Sequence, residues 1–499
     1  MNRFELPSSK LYIGGRWEEG SGAEIVSIFS GDGSVNRVIK GASRADGERA
    51  IERALKAQSD PAWRNLKPHE RARFLHRIAD GIETNAARIA FIQTRDTGKT
   101  LRETTALVAS AAGTFRYFAG ALESLDDTLT APRGDYLSMS VHEPLGLVSA
   151  ITPWNSPIAS DAQKVAPALA AGNAVLLKPA SWSPLVSLEL ARIVEAAGLP
   201  QGLFSVLPGA GREIGNLLVE HPAISRVSFT GGTATGRMLA RQAAEKLMPI
   251  SLELGGKSPT IVFADADIDL AIAGILFGVF SSSGQSCIAG SRLFVERSIY
   301  ESFVDRLVAA TKKLVVGDPF DERTQVAPLV HFDHRDAVAA QVAAAVEAGA
   351  EVLCGAAIPT GADYDRGAYY LPTILAGLEN DDPICREEVF GPVLCVLPFD
   401  DEADVIAQSN ANDYGLACGI WTRDFPKAWR TARAITTGTV WINTYKQFSI
   451  STPFGGEKDS GMDREKGREG IRAYMAQKSV YVDLTGKPHP WARWPEAGA

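Results

Sequence analysis

The spacing of apolar positions changes along the chain, and the change divides it. Between residues 45 and 125, "ADGERAIERALKAQ" carries an acidic residue, Asp46, at its start, and "HERARFLHRIADGIETNAARIAFIQ" repeats apolar side chains every three or four positions. That spacing collects them on one helix face, so a mostly helical first segment is predicted. From about residue 145, short apolar β-rich runs take over: "LGLVSAIT", "NAVLLKP", "FSVLPG", "RVSFTGG" and "PISLELGG", separated by helical stretches such as "SLELARIVEAAG". Strands apolar on both faces and alternating with helices predict a parallel α/β sheet covered on both sides. After residue 256 the alternation resumes with "PTIVFADADIDLAIAGILFGVF", "RLFVERSIYESFVDRLVAATKKL" and later "GTVWINT", which predicts a second α/β lobe. Residues 131–144, "APRGDYLSMSVHEP", and 476–487, "AQKSVYVDLTGK", read as extended arms. Such edges need pairing or cover, so an oligomer is expected.

Composition narrows the class. At 499 residues the chain exceeds one ordinary hydrophobic core, and its 45% hydrophobic and 22% charged residues suit a globular protein of two or three lobes. Lys+Arg of 51 against Asp+Glu of 59 leaves a net charge of -8 with no basic run, so nucleic acid is not an expected partner. The opening "MNRFELPSSKLYIGG" lacks the apolar core of a secretory signal, and no stretch offers the roughly 20 apolar residues of a membrane span. No membrane partner is expected, and the chain is placed in the cytoplasm. The five cysteines, Cys287, Cys354, Cys385, Cys395 and Cys418, are odd in number and lack CxxC spacing. Reduced thiols are expected, with neither a disulfide framework nor a metal site.

Several motifs tempt and fail. "GGKS" (255–258) and "TGKT" (97–100) resemble the end of a phosphate-cradling P-loop, yet the pattern needs a glycine where Ser251 and Gln93 stand. "HFDH" (331–334) has no HExxH pattern and no cysteine nearby, and reads as a surface helix or loop. "GGTATG" (231–236) is more suggestive, because it lies between strand-like "RVSFT" and helical "RMLARQAAEKL". Glycines there let backbone amides approach an anion such as a dinucleotide pyrophosphate, although tight βα turns use glycine anyway. "FSSSGQSCIAGSR" (280–292) sets Cys287 among small polar residues between two glycines, an unusual place for a thiol that only fills a core.

"PWN" (153–155), "KPAS" (178–181), "LELGGKSP" (252–259), "GQSCIAGSR", "EEVFGP" (387–392) and "TPFGGEKDSG" stand in an order and spacing that resembles the aldehyde dehydrogenase superfamily, from about residue 10 to residue 483. The resemblance implies two Rossmann-like α/β lobes with a small β oligomerisation arm. Residues 1–121 and 145–255 would form the cofactor-binding domain, 256–459 the catalytic domain, and 122–144 with 475–487 the arm of a homodimer or homotetramer. It also implies that Cys287 is the nucleophile. Asn155 would complete an oxyanion hole with the Cys287 backbone N–H, and Glu253 would be the general base that activates water. The cofactor would be NAD or NADP. Lys178 would meet the adenosine ribose, Glu388 the nicotinamide ribose, and Phe390 the nicotinamide. Thr230, Gly231, Gly232 and Gly236 would mark the pyrophosphate turn, with Trp154 at the edge of the cleft.

Two departures matter. Ser181 stands where many members carry an acidic residue that repels a 2′-phosphate, so NADP becomes admissible beside NAD. Ser282 stands where many carry asparagine, a local change of surroundings. For the substrate, the resemblance points to Ser156, Ser160 and Gln163 along the tunnel, Lys446, Gln447 and Phe448 at its mouth, and Phe454 deeper in. A polar tunnel with a lysine at its mouth suggests an aldehyde carrying a carboxylate or another polar group. Arg116 could help, or could be structural. The expected activity is oxidation of such an aldehyde through a thiohemiacetal and a thioester. The alternatives are a coenzyme A-acylating semialdehyde dehydrogenase, which Glu253 disfavours, and a catalytically silent member of the fold.

Overall fold

The computed structural model describes residues 4–492. The predicted helical segment forms Arg44–Ser59, Pro68–Thr84, Ala86–Thr97 and Leu101–Glu123. Ser43 and Thr100 begin the first and last of these with reciprocal capping boxes, using Asp46 and Glu103. Their apolar faces pack on one another and on the first of two large sheets.

That sheet has eight strands, and its parallel centre runs Phe204–Val206, Ala174–Lys178, Leu147–Ile151, Ile224–Thr230, Ile250–Glu253. Each strand is short and almost wholly buried, which is why the sequence runs are apolar without alternation. The chain leaves Leu147–Ile151 in one direction and returns to its other side at Ile224–Thr230, so a topological switch point lies between those two strands. Crevices at switch points, outside the carboxyl ends of strands, are where doubly wound sheets bind ligands. Antiparallel strands Leu11–Ile13 and Arg16–Glu18 extend one edge, and Gly461–Met462 closes the other against Ile250–Glu253.

The second sheet has seven strands: Glu351–Cys354, Thr373–Ala376, Val393–Phe399, Arg292–Glu296, Pro259–Val262, Ala417–Trp421 and Thr439–Ile442. All neighbours are parallel except Glu351–Cys354 at the edge. Separate apolar clusters cover its two faces. The segments read as arms form a three-stranded antiparallel sheet, Thr128–Thr130, Tyr136–Pro144 and Met475–Asp483, in which Tyr136 pairs with Asp483 and Pro144 with Met475. It leaves Leu129, Tyr481 and Leu484 exposed.

Candidate active site

The carboxyl ends of three strands of the first sheet open into a cavity of about 180 Å³. Pro153, Trp154 and Asn155 follow Leu147–Ile151. Thr230, Gly231 and Gly232 lead from Ile224–Thr230 into helix Thr233–Ala244, and Glu253 ends its own strand. The opposite wall comes from the second lobe: Cys287, Glu388, Phe390 and His334. Residues far apart in sequence thus meet on one surface.

Backbone contacts hold the two walls in place. Gly284 has φ +72°, and a Cβ there would strike the Gly391 carbonyl, so the loop before Cys287 lies directly on the "VFGP" turn. Gly255 and Gly256 leave room for the Glu388 carboxylate and the Cys287 carbonyl respectively. The Gly256 N–H donates to Glu388 Oε1 at 3.0 Å. Three of the sequence motifs are therefore one interlocked unit. Ser282 and Ser283, at φ +57° and +54°, take the left-handed conformation; asparagine tolerates that region better than serine does. Ser282 N–H donates to Glu103 Oε1 at 2.6 Å and Ser283 Oγ to the Ala327 carbonyl at 2.6 Å, which hold the strained turn. Phe390, Lys446 and Lys466 also have positive φ, so strained backbone gathers here.

Electrostatics follow from burial. The Cys287 thiol is pushed up to about 12, by desolvation first and then by Glu388 and Glu253, so it stays protonated until a base takes its proton. Glu253 is buried with neither carboxyl oxygen hydrogen-bonded, and burial, then Glu465, holds it well above the usual carboxyl range. Glu465 is itself compensated: Lys164 Nζ donates to it at 2.5 Å, Ser228 Oγ at 2.8 Å and Gln163 Nε2 at 2.5 Å. Burial also raises Glu388 to about 7 and lowers Lys178 to about 8. Asn155 Nδ2 donates to the Gln285 carbonyl at 3.1 Å, which fixes its amide beside the cysteine loop.

The other expected residues divide. Lys178 ends its strand, with Nζ donating to the Pro179 carbonyl at 3.0 Å, and Ser181 lies three residues on, its Oγ 3.5 Å from the Gly209 carbonyl. Gly236 lies inside the helix against Leu254, away from the cavity wall. Ser156 and Ser160 share a hydrogen bond of 3.0 Å. Gln163 donates from Nε2 to Glu465. Phe454 packs with Cys287, Trp441 and Tyr445 in one apolar cluster. Phe448 stands edge-on to Phe454 at 5.5 Å and to Trp441 at 5.5 Å, making an aromatic wall. Lys446 Nζ donates to Ser281 Oγ at 2.8 Å. Arg116 is engaged by Asp80 at 2.8 Å and Glu83 at 2.5 Å in an exposed ion-pair cluster, its structural reading.

"HFDH" departs from its reading as plain surface. His331 caps helix Phe332–Glu347 and stacks on Trp182, while His334 lines the cavity between Trp154 and Phe390 and bonds the Phe390 carbonyl at 2.8 Å. Its company is aromatic. Among the described residues no His, Cys, Asp and Glu group is arranged to hold a metal. His334, Trp441, Tyr445, Glu465 and Lys466 escaped sequence reasoning because what distinguishes each is a neighbour distant in sequence. The Glu and Lys of "REKG", close after "TPFGGEKDSG", were the one local hint.

Residues 17–480 match the model of the aldehyde dehydrogenase family. The chain is 42% identical over 480 residues to betaine aldehyde dehydrogenase 2 of Rhizobium meliloti, covering 96% of this chain and 98% of that one. It is 40% identical to betaine aldehyde dehydrogenase of Brucella melitensis, covering 97% and 99%. Among solved structures, betaine aldehyde dehydrogenase of Staphylococcus aureus in complex with NAD+ superposes with TM-score 0.95 at 35% identity, covering 97% and 96% of the two chains. An NAD+ complex of aldehyde dehydrogenase from Bacillus cereus gives 0.93 at 35%, covering 97% of each. The protein belongs to the aldehyde dehydrogenase family.

Proposed function

We propose that the protein oxidises an aldehyde to the carboxylic acid, with NAD or NADP as hydride acceptor and Cys287 as nucleophile. The meeting of Cys287, Asn155 and Glu253 in one cavity carries this reading. Once a base has taken its proton, the Cys287 thiolate adds to the aldehyde carbon, and the resulting oxyanion takes hydrogen bonds from the Asn155 amide and the Cys287 N–H. Loss of hydride from this thiohemiacetal leaves a thioester. Glu253 then takes a proton from water, which attacks the thioester and expels the Cys287 thiolate with release of the acid, and the proton held by Glu253 can return to the sulfur.

The residues fit a dinucleotide. Gly232 opens helix Thr233–Ala244 without a side-chain cap and with open space beside its Cα, so backbone N–H groups are left for a pyrophosphate. Lys178 keeps ammonium donors beyond the one given to Pro179, and Glu388 supplies a carboxylate for ribose hydroxyls. When bound, the nicotinamide accepts the hydride. The NAD+ complexes of relatives support that cofactor, and Ser181 keeps NADP admissible.

In this reading 1–121 with 145–255 binds the cofactor and 256–459 carries the nucleophile. The arm joins copies into a homodimer or homotetramer, and the five unpaired thiols suit the cytoplasm. Among the described residues no helix is long and apolar enough to cross a membrane. The substrate is an aldehyde with a polar or carboxylate-bearing end. A panel of aldehydes assayed for reduction of each cofactor, with and without coenzyme A, tests the reading. Acid formed without coenzyme A supports it, an acyl-coenzyme A product overturns the hydrolytic step, and no reduction across the panel overturns the activity.

A further inference from the structure

The aromatic wall beside Cys287 already has a cation on it. Lys466 Nζ stands 4.3 Å from the centre of the Phe448 ring and 5.0 Å from that of Phe454. The backbone is built to hold it there. Phe454 and Glu465 exchange N–H···O bonds of 2.8 Å in both directions, and the Gly467 N–H donates to the Ile450 carbonyl at 2.9 Å. The two segments are therefore tied on either side of Lys466, which adopts φ +61°. A bulky residue keeps that conformation only where its surroundings impose it. Lys446, also at positive φ, donates from Nζ to Ser281 Oγ at 2.8 Å and lies within electrostatic reach of Lys99, Glu103 and Cys287; burial lowers its ammonium to about 7 and lowers that of Lys466 as well.

The carboxylates within electrostatic reach are Glu465 and Glu253 for Lys466 and, for Lys446, Glu103, which already accepts the Ser282 N–H. Glu465 is ion-paired with Lys164 at 2.5 Å, and burial holds the Glu253 carboxyl well above the usual carboxyl range. The Rhizobium and Brucella relatives act, by name, on betaine aldehyde, whose far end is a trimethylammonium group. Such a group is recognised by free aromatic faces, and here the Lys466 ammonium already stands against one face of Phe448 and of Phe454. A quaternary ammonium entering this mouth would compete with Lys466 for the rings, whereas a carboxylate would favour the charged form of both lysines.

We propose that Lys466 is a specificity-determining residue that denies the aromatic wall to cationic aldehydes and, with Lys446, selects an aldehyde whose far end is a carboxylate. This rests on the proposed aldehyde oxidation and names its substrate class. The test is kcat/KM for three aldehydes of matched length, ending in a carboxylate, a trimethylammonium group or a methyl group, in wild type and Lys466→Gln. Wild type should favour the carboxylate over the ammonium, and the substitution should lower that preference by about tenfold or more, mainly through KM. In parallel, calorimetry on Cys287→Ala measures binding of the corresponding dicarboxylic and trimethylammonio acids, with and without Lys466→Gln, and so reads charge selection without turnover. Tighter binding of the dicarboxylate, weakened by Lys466→Gln, supports the inference. A wild-type preference for the ammonium, or a preference that Lys466→Gln leaves unchanged, overturns it. Turnover of the methyl-ended aldehyde without charge discrimination would overturn this inference while leaving the proposed oxidation standing. Failure of all three aldehydes with either cofactor would remove both.

Discussion

The two large sheets share an α/β architecture yet offer opposite edges to the cavity. The first contributes residues at or just past the carboxyl ends of its strands: Asn155 beyond Leu147–Ile151, Gly231 beyond Ile224–Thr230, and Glu253 at the end of Ile250–Glu253. The second contributes residues that lie ahead of its strands, with Cys287 just before Arg292–Glu296 and Glu388 just before Val393–Phe399. The carboxyl-end rule for doubly wound sheets therefore describes one lobe only. The first lobe places helix N-termini and spare N–H groups where an anionic ligand gains from them. The second brings a thiol and a carboxylate in loops whose positions depend on contact with the first. One edge suits binding, and the other suits chemistry.

Removing the chemical group from the second edge should have the largest effect. Cys287→Ala should lower turnover on the order of a thousandfold or more while cofactor affinity stays near wild type, since little volume is lost. Equilibrium titration with NAD beside steady-state rates checks this, and comparable loss of binding would mean that the two edges do not divide the work.

Glu253→Gln asks whether the carboxylate of the first edge serves the second. It should keep a single stoichiometric burst of reduced cofactor while steady turnover falls about a hundredfold or more. Loss of the burst as well would assign Glu253 to activating Cys287. The same residue predicts a pH profile. A carboxyl whose pKa is raised is neutral, and no base, below that raised value; an ordinary glutamate has ionised by about 4.3. Hydrolysis of the thioester should therefore keep rising with pH beyond the range in which an ordinary glutamate, half ionised at about 4.3, has finished titrating, and a profile that levels off in that ordinary range would exclude Glu253 as the base.

The smallest expected effect concerns the binding edge alone. Ser181→Glu should depress kcat/KM with NADP roughly tenfold to a hundredfold more than with NAD, because a like charge near a 2′-phosphate costs about 3 kcal/mol before screening. If wild type already refuses NADP, the stacked Trp182 and His331 beside Ser181 become the explanation.

Much of this arrangement was legible in the sequence. "NAVLLKP", "FSVLPG" and "RVSFTGG" became Ala174–Lys178, Phe204–Val206 and Ile224–Thr230 because buried parallel strands need unbroken apolar runs. The arm segments became Tyr136–Pro144 and Met475–Asp483, while Thr128–Thr130, inside the arm that the resemblance implied, is too short to announce itself as a strand. The same is true of Gly461–Met462, which returns from the second half of the chain to the first sheet. Among site residues, those in glycine-marked turns were found, since a glycine records a close approach of backbone. Lys466 was not, because a lysine's meaning depends on Phe448 and Phe454, and a helix-capping histidine gives no sign that its partner His334 faces a cavity.

The left-handed residues around the cavity have a consequence for heat tolerance. Ser282, Ser283, Phe390, Lys446 and Lys466 each occupy a conformation that costs a side-chain-bearing residue about 1 kcal/mol or more, so the site lowers the stability of the whole fold. Replacing Ser282 by asparagine or glycine, which accept that conformation more readily, should raise the melting temperature while Glu103 still receives the backbone N–H. For anyone hardening this protein, that turn is a better place to begin than its well-filled cores.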